Sequence, residues 1–184
     1  MKTLIINGHP NPQDSVANKA VIEEIQARLP HVRIRHLGEL YPDYRIDVEA
    51  EQKALLEADL IVWQFPFFWY SLPALMKKWL DEVFLHGFSH GSTAKLAGKK
   101  LLVSITTGAP AEAYTGGPGS IGDIRELVSP FASIAAVCRL DYQGAMWVNG
   151  VGYTQRQTQE GTDLQRKTAK EYAKRLIEKI SSIH

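Results

Sequence analysis

The sequence predicts an α/β domain whose parallel sheet is wound on both faces by helices, and three observations carry that expectation. Short apolar runs alternate with longer amphipathic ones along the 184 residues, the pattern of βαβ units. Two of the short runs, Leu4-Ile5-Ile6 and Leu60-Ile61-Val62-Trp63, are apolar throughout, as strands covered on both faces must be. No linker, repeat or low-complexity segment breaks the series, and the length suits one hydrophobic core. Residues 1–184 are therefore expected to form a single domain.

The elements follow in order. Lys2 to Asn7 reads as the first, buried strand. Val16 to Leu29 reads as a helix with Val21, Ile22, Ile25 and Leu29 on one face, ended by Pro30. His31 to Leu37 alternates, Val32 and Ile34 apolar against Arg33 and Arg35, which suggests a less covered edge strand. A helix over Val48 to Ala58 leads to the third strand, Asp59 to Gln64. Pro73 suits the first turn of the next helix, where Leu72, Leu75, Met76, Trp79, Leu80, Val83 and Phe84 keep helical spacing. Lys100 to Thr106 reads as the fourth strand. A helix near Ile121 to Leu127 and a fifth strand over Ile134 to Leu140 are expected next. A last helix, Leu164 to Ile180, sets Leu164, Thr168, Tyr172, Leu176 and Ile180 on one stripe. An exposed second strand beside buried first and third strands suits the flavodoxin-like order 2-1-3-4-5. In that order a ligand sits beyond the carboxyl ends of strands one, three and four.

Composition narrows the function classes. A formal net charge of +1 leaves no electrostatic footprint for nucleic acid and no basic cluster for an anionic membrane. Cys138 is the one cysteine, so an internal disulfide is impossible, and its apolar neighbours suggest a buried, inert thiol. The chain opens on a strand-like segment and has no run of 18 apolar residues, which fits the cytoplasm. His86 and His90 share a glycine-containing loop but lack carboxylate partners at ligand spacing, so solvated histidines are expected there and no metal.

Three loops fall where the ligand crevice is expected. The first, Gly8 to Asn18, runs into a helix whose free N–H groups and dipole favour a phosphate. Ser15, Asn18 and His9 can add side-chain donors; the alternative is a polar turn with Ser15 as a plain cap. The second holds Phe65, Phe67, Phe68, Trp69 and Tyr70, on which a planar ring system could stack. A hydrophobic plug or a subunit interface would use the same residues. The third runs from Thr106-Thr107-Gly108-Ala109 through Tyr114 to Thr115-Gly116-Gly117-Pro118-Gly119. Gly108 permits close approach of a ligand, and the threonines offer hydroxyls to a heterocycle; the alternative is a long flexible connection.

Taken together these loops resemble the flavoprotein NAD(P)H:quinone reductases, the DT-diaphorase group, and most of all its short bacterial members. Those include ancillary subunits of glutathione-regulated potassium-efflux antiporters. The matching residues are Gly8-His9-Pro10 with Ser15 to Asn18, Trp63-Gln64-Phe65-Pro66 with Trp69 to Leu75, and Thr106 to Ala109. Leu40-Tyr41-Pro42, Ile46-Asp47 and Trp79 to Phe84 match as well, so the resemblance spans nearly the whole chain.

The resemblance implies a noncovalent flavin, a homodimer and two-electron transfer from NAD(P)H to a small acceptor such as a quinone. By position, His9 and Ser15, Val16, Ala17 and Asn18 would hold the flavin phosphate. Phe67, Phe68, Trp69 and Tyr70 would line the isoalloxazine, and Thr106, Thr107, Gly108 and Ala109 would meet its pyrimidine edge. Tyr114 takes the place of an active-site tyrosine. The histidine that follows it in larger members is missing here, where the stretch reads Ser120-Ile121-Gly122. Larger members also carry a C-terminal extension that helps enclose the adenosine of FAD; this chain stops soon after its last helix, so FMN is expected. With one doubly wound sheet and no second glycine fingerprint, the chain offers the nicotinamide no pocket of its own. Nicotinamide and acceptor are therefore expected to take turns on one flavin face walled by Phe68, Trp69 and Tyr114, in ping-pong hydride transfer through flavin N5. Two other roles compete: a one-electron carrier of flavodoxin type, whose usual acidity this neutral chain lacks, and a regulatory subunit docked on an antiporter at the inner face of the membrane.

Overall fold

The computed structural model describes residues 1–184. Five parallel strands form one sheet: β1 (Thr3–Asn7), β2 (Arg33–His36), β3 (Leu60–Pro66), β4 (Lys100–Thr106) and β5 (Asp141–Val148). Their order across the sheet is β2-β1-β3-β4-β5, as the burial contrast in the sequence predicts. The helices are α1 (Ala17–Arg28), α2 (Leu37–Leu40), α3 (Val48–Glu57), α4 (Ala74–Val83), α5 (Ile124–Leu127), α6 (Ser129–Val137) and α7 (Gln159–Ser182).

Strand periodicity sorts the core into two layers. Ile5, Leu60, Val62 and Leu102 pack on one face against Val21, Ile22 and Ile25 of α1 and Tyr172, Leu176 and Ile180 of α7. Their neighbours Leu4, Ile6, Ile61, Trp63, Val103 and Ile105 point to the other face, against α3, α4 and α6. There Trp63 meets Trp79, Phe84 and Phe131 edge to face, with ring centroids 5.8–6.4 Å apart. The buried Glu51 carboxylate accepts from Arg35, from the Tyr41 hydroxyl at 2.5 Å and from Trp79 Nε1 at 2.9 Å, tying the segment after β2 to α3 and α4. No helix is long and apolar enough to cross a membrane.

The carboxyl-terminal third departs from expectation. Ile134 to Leu140 does not form the fifth strand: Ser129–Val137 is helix α6, opened by Pro130 in its first turn, with Ala135 buried and Val137 exposed. The strand follows at Asp141–Val148, at the sheet edge, where Gly144 has φ +94° and the pairing with β4 slips between Leu101 and Val103. A short apolar run does not by itself distinguish a strand from a helix, and a glycine-interrupted edge strand carries little pattern. The helix expected near Ile121 to Leu127 is the single turn α5. Helix α7 begins earlier than Leu164, because the Thr158 hydroxyl caps it by accepting the Gly161 N–H at 3.0 Å. Its buried stripe is Gln165, Ala169, Tyr172, Ala173, Leu176 and Ile180, while Leu164 is 62% exposed.

Candidate functional site

Every strand of a parallel sheet ends at the same edge, so the loops after β1, β3, β4 and β5 meet there. They enclose a cavity of about 200 Å³. His9 and Ser15 to Asn18 line it from the first loop, Phe67 and Phe68 from the second, and Thr106 to Gly108 from the third. Trp69, Tyr70, Ala109 and Tyr114 lie outside its lining.

The first loop is built around donors. The N–H groups of Val16, Ala17 and Asn18 find no acceptor in the chain, as expected at the start of a helix. Ser15 Oγ accepts the Lys19 N–H at 3.1 Å, so it caps α1 and still keeps its own hydrogen free to donate. Gly8 is required here for packing: a side chain would strike Met76 of α4.

His9 is held as a neutral donor. Burial pushes its pKa down to about 4, and the positive charge of Arg156 lowers it too. Its Nδ1 accepts the Asn11 N–H at 3.2 Å, which leaves the proton on Nε2. The ring also stands edge-on to Phe68, centroids 6.1 Å apart.

The second loop divides. Phe67 is buried in the core, with Phe131 and Tyr70 as ring neighbours. Phe68 to Ser71 makes a tight turn closed by the Ser71 N–H to the Phe68 carbonyl, with Trp69 and Tyr70 both left-handed at φ +49° and +62°. Trp69 is 90% exposed. Holding aromatic residues in this conformation costs of order 1 kcal/mol each.

In the third loop the Gly108 and Ala109 N–H groups have no acceptor in the chain, while Thr107 Oγ1 donates to the Ala109 carbonyl at 3.2 Å. Gly108 and Gly152 pack backbone against backbone: a side chain at 152 would come within 2.8 Å of Gly108, and one at 108 within 3.3 Å of Gly152. Tyr114 is buried, which raises its phenol pKa. His86 and His90 pair ring to ring elsewhere, at 5.5 Å, and no group of three or more His, Cys, Asp or Glu is placed to hold a metal ion.

Sequence reasoning missed the fourth wall. Val151, Gly152, Tyr153, Arg156 and Gln165, from the β5–α7 connection and the start of α7, complete the cavity. Arg156 reaches the Asp14 carbonyl and stacks its guanidinium on Tyr153, 5.1 Å from the ring centroid. Gln165 is buried; its Nε2 donates to the Gly152 carbonyl, and its Oε1 has no partner. A correctly placed β5 would have pointed to this segment, since it would then follow the fifth strand at the same sheet edge.

The donor set fits a phosphorylated ligand with further hydroxyl or carbonyl groups. Comparison with known proteins finds similar folds over nearly the whole chain. General stress protein 14 of Treponema denticola, solved in complex with FMN, is 32% identical, with 96% of this chain and 98% of that one covered and a TM-score of 0.83. A protein described as a thermophilic tryptophan halogenase from Streptomycin violaceusniger is 36% identical over 92% and 96% of the two chains, TM-score 0.79. An NADPH-quinone reductase from P. pentosaceus is 28% identical over 94% and 98%, TM-score 0.74. The family model for the flavodoxin-like fold matches residues 1–176, and the chain belongs to that family, in which the resemblance to the quinone reductases had placed it.

Proposed function

We propose that this chain is an FMN-dependent NAD(P)H oxidoreductase acting on a quinone or a similar small acceptor. The observation that carries the reading is the row of unpaired donors from Ser15 to Asn18 facing Thr106 to Gly108 across one cavity. The names of the similar proteins point to different substrates, so support for FMN lies in this donor set together with the FMN complex of the 32% identical relative.

The Val16, Ala17 and Asn18 N–H groups, the Ser15 hydroxyl and His9 Nε2–H would bind the phosphate, with Arg156 bringing the one full positive charge to the cavity wall. Gln165 Oε1, buried without a donor, would accept a ribityl hydroxyl. The Gly108 and Ala109 N–H groups would meet the pyrimidine edge and stabilise negative charge that grows there on reduction. FMN supplies the hydride chemistry; the chain supplies position, shielding and electrostatics. Tyr114, with its raised pKa, keeps its proton and acts as a neutral donor.

The exposed Phe68, Trp69 and Tyr70 support a homodimer that covers the ring-binding face, since aromatic clusters of this kind mark interfaces. Because one cavity serves both substrates, double-reciprocal plots are expected to be parallel. The deciding experiment is an absorbance spectrum of the purified protein before and after FMN addition, followed by acceptor-dependent NAD(P)H oxidation. Failure to take up FMN would refute the reading.

A further inference from the structure

Five buried side chains form one hydrogen-bonded row across the sheet to the cavity wall. Tyr172 of α7 meets Ser104 of β4 at 2.6 Å, and Ser104 meets Gln64 Oε1 of β3 at 2.5 Å. Gln64 Nε2 donates to Asn18 Oδ1 at 2.7 Å, and Asn18 Nδ2 donates to Thr106 Oγ1 at 2.8 Å. Only Asn18 and Thr106 line the cavity.

Because the row contains two amides, it has two self-consistent directions, and counting hydrogens decides between them. With Tyr172 donating, each group accepts from the one before and donates to the next. Thr106 then accepts at the end, and its own hydrogen has no partner in the chain. Turning both amides would make Thr106 donate to Asn18 and Ser104 donate to Tyr172. The Tyr172 hydroxyl hydrogen would then be stranded in the buried interior, because Ser104 is the one hydrogen-bond partner of that hydroxyl and would itself be donating. A stranded buried donor disfavours that arrangement by roughly tenfold or more.

We infer that Ser104 and Gln64, although remote from the ligand, are positioning residues that fix Thr106 as a hydrogen-bond donor into the cavity. The ligand atom facing Thr106 is therefore an acceptor, and aligned bonds in the row strengthen the donor. This rests on the FMN reading above.

The test is a double-mutant cycle read as the FMN dissociation constant of the full chain, with thermal unfolding as a control for the fold. Thr106→Val removes the donor and is expected to weaken binding about tenfold. Ser104→Ala releases the direction of the row and is expected to weaken binding roughly threefold to tenfold. In the Thr106→Val background Ser104→Ala should have no further effect, because its influence passes through Thr106. Tyr172→Phe leaves Ser104 donating to Gln64 and should change affinity less than about twofold. Wild-type affinity in Ser104→Ala, or an equal loss that persists in the Thr106→Val background, overturns the inference. A wild-type chain that takes up no FMN overturns the flavin reading and this inference with it; a chain that binds FMN indifferently to Ser104 overturns the inference alone.

Discussion

The two ends of the sheet each carry a hollow, and the larger lies at the amino ends of the strands. At the amino ends of the strands, Met1, Lys2, His31, Arg33 and Glu57 border a space of about 350 Å³. Two polar contacts are made within the chain there: the Lys2 N–H donates to Asp59 at 2.7 Å, and Arg33 pairs with Glu57. The cavity at the carboxyl ends has about 200 Å³, but it faces unpaired N–H groups at the start of α1 and after β4, and the unpartnered Gln165 Oε1. Helix α1 presents its N-terminus to one edge of the sheet only. Unmet hydrogen-bonding capacity, more than volume, therefore singles out the carboxyl ends as the candidate site.

The sharpest way to break this contrast is His9→Ala with Ser15→Ala. Removing two donors at the phosphate end should raise the FMN dissociation constant about 10- to 100-fold with the fold intact, the loss expected for charge-assisted hydrogen bonds. An unchanged constant would place the phosphate elsewhere. Arg156→Gln should weaken FMN by roughly tenfold, and the loss should shrink at high salt as an ion contact is screened. A salt-independent effect would mean that Arg156 matters through its bond to the Asp14 carbonyl.

Acid should tell on the same end. The folded pKa of His9, about 4, lies below the unfolded value of 6.5. The unfolded chain therefore takes up a proton that the folded chain refuses. The His9 contribution to stability is complete above pH 6.5 and is lost as pH falls toward 4. In ligand-free protein, melting temperature should drop across that window more steeply than in His9→Asn; parallel profiles would show that His9 is solvated.

Smaller effects sharpen the contrast. Trp69→Gly relieves a left-handed residue that packs on nothing within the chain, so urea unfolding of the monomer should shift upward by about 1 kcal/mol while self-association weakens. A fall in stability would show that the turn is not strained. At the opposite end, Arg33→Ala removes an exposed ion pair and should move stability by less than about 0.5 kcal/mol and FMN affinity not at all. Any change in affinity would argue that the larger hollow takes part.

Much of this was legible in the residues because the signals were local. Leu4-Ile5-Ile6 and Leu60 to Trp63 could only be doubly covered strands, and the α4 stripe from Leu75 to Val83 could only face a core. His9, Ser15 to Asn18, Phe67, Phe68 and Thr106 to Gly108 reach one cavity because each follows a strand whose end was readable. The errors cluster where local pattern and tertiary role part. Ala135 and Val137 look like strand residues but sit on a helix, and Gly144 hides an edge strand whose pairing is set by β4.

By itself, then, the sequence determined the sheet order, the two-layer core and three of the four loops, because burial on one or both faces is written in the period of apolar residues. Only the tertiary structure decided the rest. Arg156 and Gln165 join the cavity through the course of a chain segment with no motif of its own. The direction of the row from Tyr172 to Thr106 depends on five residues up to 154 positions apart, Asn18 to Tyr172, each with hydrogens to place. Hydrogen-bond satisfaction is a property of the assembled set, and no window of sequence contains it.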